Sequence, residues 1–300
     1  MGFGPDGIKR IYKTDPTHPI EFFLNKSTLS TLQYDNSDNG NNRLVQTSEN
    51  RFNMTGESET KRTRIWIKAK VQVPAVVNSA FASAKGHMSQ RIYDCDSVEN
   101  HYYIRHLSGS SYYIIGGPTL GELSGNPCAG QQYQAIITVD GKAWITKKQF
   151  HPSGYVKEIV KKSVTTNITD RWIGVKFVIL QLGTSKVRLE LYLDDGNVTN
   201  NWHLIDSRLD QGRWGDLGGV CGSSLPGQAL DFGMPNTMIL GTGGENSFDL
   251  QNLATRCIIT QRDNLSQFPP SLGEGAKFRR ISQPFIPYFR PTVPDVDDDA

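Results

Sequence analysis

From residue 64 to residue 73 the chain reads RIWIKAKVQV, with every odd position apolar and Arg64, Trp66, Lys68, Lys70 and Gln72 at the even ones. A period of two is the mark of a strand with one dry face. The segment 187–194 repeats it, setting Val187, Leu189, Leu191 and Leu193 against Arg188, Glu190, Tyr192 and Asp194. Two such strands, far apart in sequence, predict antiparallel sheets that are greasy on one side and polar on the other. Residues 101–107, 111–115, 131–139 and 142–150 read as further strands, and Asp140-Gly141 is a two-residue hairpin signal between the last two. The longer apolar run 172–182, interrupted by Gly174 and Lys176, suits a strand central to a sheet. Shorter candidates follow at 237–240, 247–253 and 255–260, whereas 35–50 is polar, turn-rich and expected to be a surface loop. Long stretches of helical period are missing. Roughly a dozen short strands separated by turn residues predict an all-β fold, a two-sheet antiparallel jelly-roll sandwich.

The pattern changes after residue 263. Pro269, Pro270, Pro284, Pro287, Pro291 and Pro294 are interleaved with Phe278, Phe285, Ile286, Tyr288 and Phe289 before an acidic end, DVDDDA. Proline removes ladder donors and favours extended chain, so the expected division is a sandwich domain over 1–263 and an extended Pro-rich arm over 264–300. The arm's apolar residues need a surface, either on this molecule or on a neighbour, which makes self-assembly through the arm one expectation.

Charge adds little. The 300 residues carry 32 Lys and Arg against 30 Asp and Glu, a formal net charge of +2, which is not the concentrated basicity of a nucleic-acid binder. No apolar run reaches the roughly 18 residues of a membrane span, and the start MGFGPDGIKR lacks the apolar core of a signal peptide. Cys95, Cys128, Cys221 and Cys257 are spaced too widely for a zinc knuckle. Two readings stand: disulfides pairing Cys95 with Cys128 and Cys221 with Cys257, or four reduced thiols. Asn-x-Ser/Thr sequons begin at Asn25, Asn53, Asn167, Asn197 and Asn264 and tilt the expectation towards an extracellular life.

The strands RIWIKAKVQV, HYYIRH, DRWIGVKFVILQL and VRLELYLDDG, the hairpin CAGQQYQAIITVDGKAWITKKQFHPSGY and the closing SFDLQNLATRCIITQRD resemble the concanavalin A-like lectin and glucanase superfamily over about residues 7–263. The segments DRWIGVK and DDGNVTNNW and the Lys-x-x-x-His-Pro spacing are also similar to secreted bacterial and archaeal proteins of this fold. The resemblance implies a jelly roll and a glycan partner, and it leaves activity open, because one fold hosts many chemistries.

Glycoside hydrolysis needs carboxyls roughly 5 to 9.5 Å apart. Glu190 and Asp194 are four strand positions apart, about 13 Å, and the Glu-x-Asp-x-x-Glu strand of the hydrolases is missing. Glu57 and Glu59 have the right spacing but sit in a loop-like stretch. Lyases of the superfamily instead neutralise a uronate carboxylate with Arg, Gln or His and move its α-proton with Tyr or His. The residue types are present: Arg62, Arg64 and Lys68; His101, Tyr103 and Arg105, with His106 on the reverse face; then Lys148, His151, Tyr155 and Tyr192. Arg62-Thr63-Arg64-Ile65-Trp66 only echoes the Arg-Thr-Glu-Leu-Arg strand of alginate lyases, and that family's Gln-Ile-His and Tyr-x-Lys-x-Gly strands have no counterpart. The acid/base candidates are Tyr103, His106 and Tyr192. The glycan-binding candidates are Arg64, Trp66, Lys68, His101, Arg105, Trp144, Lys148 and His151, with Trp66 and Trp144 as stacking platforms. Asp194 and Asp195 could hold Ca²⁺ with turn carbonyls, yet the roughly six to eight oxygens such a site needs are not visible nearby, so no cofactor is expected. The leading expectation is an extracellular carbohydrate-binding protein; a uronate-specific polysaccharide lyase and a structural subunit of a filament, coat or virion are the alternatives.

Overall fold

Alternation along the chain becomes two facing sheets in the computed structural model, which describes residues 2–16, 21–25, 32–34, 43–55, 63–67, 97–109, 112–119, 132–148, 160–182, 186–212, 214, 238–242 and 247–259, with the backbone alone at 21–22, 32–34, 43–44, 63–67, 117–119, 132 and 238–242. The strands are β1 (Glu21–Phe23), β2 (Leu32–Tyr34), β3 (Arg43–Ser48), β4 (Arg51–Thr55), β5 (Thr63–Ile67), β6 (Val98–Ser108), β7 (Tyr112–Thr119), β8 (Gln132–Thr138), β9 (Lys142–Lys148), β10 (Lys162–Ser163), β11 (Trp172–Gln181), β12 (Val187–Asp194), β13 (His203–Asp210), β14 (Met238–Thr242) and β15 (Ser247–Cys257). One sheet is eight-stranded, in the order β13-β12-β11-β6-β15-β4-β3 with β1 also on β15; the other is seven-stranded, β10-β9-β8-β7-β14-β5-β2. All strand pairs within the sheets are antiparallel. This is the two-sheet jelly-roll sandwich expected from the sequence, and among the described residues there is no helix.

The core lies between the sheets. Val187, Leu189, Leu191 and Leu193 of β12, with Ile173, Val175, Phe177 and Ile179 of β11, face Tyr113, Ile115, Tyr133, Ala135, Ile137 and Ile145 of the other sheet. Burying such side chains is the main drive to fold, at roughly 1.5–3 kcal/mol each. Strand β11 has β12 on one side and β6 on the other, the central place its apolar run predicts.

The Asp140-Gly141 hairpin forms between β8 and β9. Gly141 has φ of 82°, and a Cβ there would stand 2.2 Å from the Thr165 carbonyl oxygen. Both the backbone region and the close approach demand glycine. Gly141→Ala is expected to destabilise the domain by about 1–3 kcal/mol, read as a lower urea midpoint; an unchanged midpoint would mean that the 165–166 segment yields freely.

Two expectations need correction. The stretch assigned to a loop contains β3, which pairs with β4 through Leu44↔Met54 and Val45↔Asn53. Its polar residues do not exclude a strand because it lies at the end of its sheet, where side chains can face water. The candidates at 247–253 and 255–260 are a single strand, β15, whose register shifts between Gln251 and Ala254 and whose Asn252 has φ of 53°. That bulge moves the inward positions from Leu250 to Leu253 and interrupts the alternation. By packing, the chain divides into Met1–Thr260 and Gln261–Ala300. The second unit, with the Pro-rich arm, lies outside the described residues, as do Cys95, Cys128 and Cys221; Cys257 ends β15 within the core.

Candidate functional site

The acid/base and glycan-binding candidates are divided among three places. On β6, positions 98, 102 and 104 face the core, so His101, Tyr103 and Arg105 face outward on the eight-stranded sheet. Tyr192 of β12 shares that outer face, while His106 turns inward and exchanges a 2.7 Å hydrogen bond with the Tyr113 hydroxyl through Nδ1. Trp144 and Lys148 of β9 face outward on the other sheet, since Ala143 and Ile145, on either side of Trp144, belong to the core. Arg64 and Trp66 lie on β5, where the backbone pairs them with Leu240 and Met238. Lys68 and His151 are outside the described residues.

The outer face of the eight-stranded sheet around Glu99, His101, Lys176 and Glu190 is covered by the N-terminal segment 2–16. It is anchored by the Thr14↔Ile258 bridge and by hydrogen bonds from the Ile11 and Tyr12 N–H groups to Glu99 Oε2, at 3.0 and 3.2 Å. Beneath it is a continuous charged network. Arg256 Nη2 donates to both oxygens of Asp6 at 2.8 Å, and His101 Nε2 donates to Asp6 Oδ2 at 2.7 Å. Lys176 Nζ, held in the middle of an apolar strand, donates to Glu99 Oε1 at 2.8 Å and to the Lys9 carbonyl at 2.6 Å, and lies 4.4 Å from the Trp202 ring centroid. Trp202 fits over Gly174, where a Cβ would be 2.8 Å from its ring. Tyr12 and Tyr192 both donate to Glu190 Oε2, at 2.8 and 2.7 Å. Tyr103 donates to Asp194 Oδ2 at 2.7 Å, and Asp194 also accepts from Thr199, Gly196 and Asn200.

These contacts set the protonation states. Burial drives the His101 imidazole down to about 4 against the pull of Asp6. Burial would raise the Asp6 carboxyl, but His101, Arg256 and the Ile8 N–H together bring it to about 2. Burial, then the carboxylate each phenol donates to, raises Tyr103 and Tyr192 well above the ordinary tyrosine range. His106 is pushed down by burial. The three acid/base candidates are therefore enclosed and committed to internal hydrogen bonds. The Asp194 carboxylate is likewise taken up by donors.

The outer face of the seven-stranded sheet has a different character. Ile114, Ile136 and Trp144 pack together there with Tyr112 against them, and the Lys161 ammonium lies 4.8 Å from the Trp144 ring centroid. One register step away, Gln134 of β8 faces Thr146 of β9, with Gly116 of β7 and Trp66 of β5 in the same cross-strand row. A further step pairs Gln132 with Lys148. Trp144 is 8% exposed and Thr146 fully buried, and neither Trp144 Nε1 nor Thr146 Oγ1 has a hydrogen-bond partner among the described residues. Sequence reading singled out Trp144 and Lys148 on this face but passed over Gln134 and Thr146; the alternation of β8 and β9 about the Asp-Gly turn was the signal that places all four together.

No known family's sequence profile matches the chain, and no curated protein matches it in sequence. Among solved structures it is similar to the exoplasmic/lumenal domain of VIP36 with Ca²⁺ and Man3GlcNAc bound, at 9% identity and a TM-score of 0.43 over 85% of this chain and 94% of that one. It is similar to a β-glucanase of Bacillus licheniformis at 10% identity and a TM-score of 0.43, over 82% and 100% of the two chains. A third likeness is to the endo-β-1,4-glucuronan lyase of the fungus Trichoderma reesei, at 10% identity and a TM-score of 0.41, over 80% and 95%. These are likenesses of overall fold alone. Among the described residues no helix is long and apolar enough to cross a membrane.

Proposed function

We propose that the protein is an extracellular carbohydrate-binding jelly roll that takes glycan on the outer face of its seven-stranded sheet. The observation that carries this reading is the pair of polar atoms, Trp144 Nε1 and Thr146 Oγ1, left without partners beside Gln134 and Lys148. A buried polar atom without a hydrogen bond costs about 1–3 kcal/mol, which donors and acceptors supplied by a ligand would recover. Sugar hydroxyls both donate and accept, and would satisfy the indole N–H and the threonine hydroxyl together. The Ile114, Ile136 and Trp144 cluster beside them, itself buried, would pack against the apolar C–H face of a pyranose. Tyr103, Tyr192 and His106 are spent on internal partners, so the reading is of binding and not of uronate elimination.

Thr146→Val separates this proposal from a structural role. Removing an unpaired hydroxyl in favour of a methyl of the same shape leaves folding stability unchanged or raised. The affinity for an oligosaccharide on this face, found by titration calorimetry against a panel of neutral and acidic oligomers, is expected to fall about tenfold. Undiminished binding by Thr146→Val, or no binding to any member of the panel by the wild type, would refute the proposal.

A further inference from the structure

At the end of the eight-stranded sheet away from the Asp6 anchor, the outer face carries a second constellation. Trp172, Arg105, Asp249 and Asn53 stand in one cross-strand row over β11, β6, β15 and β4, and Tyr103, Gln251 and Arg51 follow in the next. Arg51 starts three strands from Trp172, about 14 Å away at ordinary strand spacing. Its side chain crosses the sheet and brings its guanidinium carbon to 5.5 Å from the Trp172 ring centroid, while Arg105 brings its own to 5.6 Å. The arginines are held in place from below. Arg51 Nε donates to Gln251 Oε1 at 2.8 Å; Arg105 donates through Nε, at 2.9 Å, and Nη2 to Asp249 Oδ2, whose Oδ1 accepts from Asn53 Nδ2 at 2.9 Å.

Two cations thus flank one indole with, among the described residues, a single carboxylate bonded to either of them. Asp249 is only 14% exposed and already serves Arg105 and Asn53, whereas the Arg105 side chain is 39% exposed and Arg51 is exposed. Arg51 Nη1 and Nη2, Arg105 Nη1 and Trp172 Nε1 make no hydrogen bond to the described residues. Every group left over is a donor. Mutual repulsion between two guanidiniums and the entropy of pinning two long side chains disfavour this arrangement unless an acceptor completes it.

We infer that the Arg51, Trp172 and Arg105 patch is a second binding site, for a carboxylate-bearing sugar such as a hexuronate unit. A planar carboxylate matches the open edge of a guanidinium with two parallel hydrogen bonds, and the indole contributes its N–H and an apolar edge for the ring that bears the acid. The site lies on the opposite sheet from the one assigned to glycan above, rests on different residues, and extends that reading to acidic polymers only if both hold.

The test is calorimetric titration of the full chain with trigalacturonate and with its methyl-esterified form, using wild type, Arg51→Ala, Trp172→Ala and Trp144→Ala. The wild type is expected to bind the acid form more tightly than the ester, and to lose affinity with added salt. Arg51→Ala, whose side chain is exposed, should melt with the wild type and bind the acid about tenfold more weakly, as loss of a hydrogen-bonded charge implies. Trigalacturonate affinity that survives in both Arg51→Ala and Trp172→Ala, or that does not distinguish acid from ester in the wild type, overturns the inference. Affinity lost in Trp144→Ala and kept in Arg51→Ala overturns it too while leaving the proposed function intact; affinity lost in Arg51→Ala and kept in Trp144→Ala supports this site whatever becomes of the other.

Discussion

Asp210→Ala is expected to cost the domain about 3–5 kcal/mol, the penalty for stranding a buried charge. Asp210 ends β13 in one sheet, and Lys147 projects inward from β9 in the other, so their 2.7 Å ion pair ties the sheets together through the core. Both side chains are fully buried. The Asp210 Oδ2 atom also accepts the Tyr133 hydroxyl at 2.8 Å, and Lys147 Nζ donates to the Trp214 carbonyl at 3.3 Å, under a ring stack of Tyr133 on Trp214. Burial pushes the Lys147 ammonium below its ordinary value and Asp210 pulls against it. Without the carboxylate, Lys147 must either stay charged with the Asp210 counterion lost or give up its proton, and both are costly. The double change Lys147→Met with Asp210→Leu should lose much less, because an apolar pair of similar volume removes both desolvation penalties. Urea unfolding of the two variants beside the wild type decides it. A single and a double variant of equal stability would show that the pair matters only for its packing.

Acidification is expected to weaken the hold of the N-terminal segment. His101 has a folded value of about 4 against an ordinary 6.5, so between those limits the unfolded chain binds the extra proton and stability falls as pH falls. Asp6, at about 2 against 3.8, acts in the same direction at lower pH: its contribution is complete above 3.8 and disappears as pH drops towards 2. The charged groups around His101 are Asp6, Arg256, Lys176 and, more weakly coupled, Glu99, and both cations oppose a further positive charge. The combined loss between pH 7 and 4 is on the order of 3 kcal/mol, mostly from His101. Unfolding measured across that range should show the decline, and His101→Gln should flatten it. A wild-type profile that is level down to pH 4 would mean that the imidazole is not enclosed by Asp6 and its neighbours.

The fold was legible wherever one side of a strand meets the core and the other does not. In β12 the alternation of Leu with Arg, Glu and Tyr placed every side chain on its correct face, and in β8 and β9 the Asp-Gly turn set the register as well. It was illegible where pairing was decided at a distance. The polar β3 is a strand because β4 offers it a ladder, and the bulge at Asn252 hides one long strand behind two short patterns. The candidate residues were legible as types and not as places. His101, Tyr103 and Tyr192 do face outward together, but Asp6, Ile11 and Tyr12 come from the far end of the chain to cover that face. Lys176 was visible as a lone charge within an apolar run; nothing nearby in sequence names Glu99 as its partner.

By itself, then, the sequence determined that this chain makes strands, which side of the clearest ones is dry, and where the central hairpin turns, because a period of two and a glycine at positive φ are local properties of the backbone. Only the tertiary structure decided which polar faces are open, since a charge leaves water or keeps it according to what a distant segment lays over it. On the eight-stranded sheet that distinction separates the sealed Asp6, His101 and Arg256 network from the exposed arginines at Trp172.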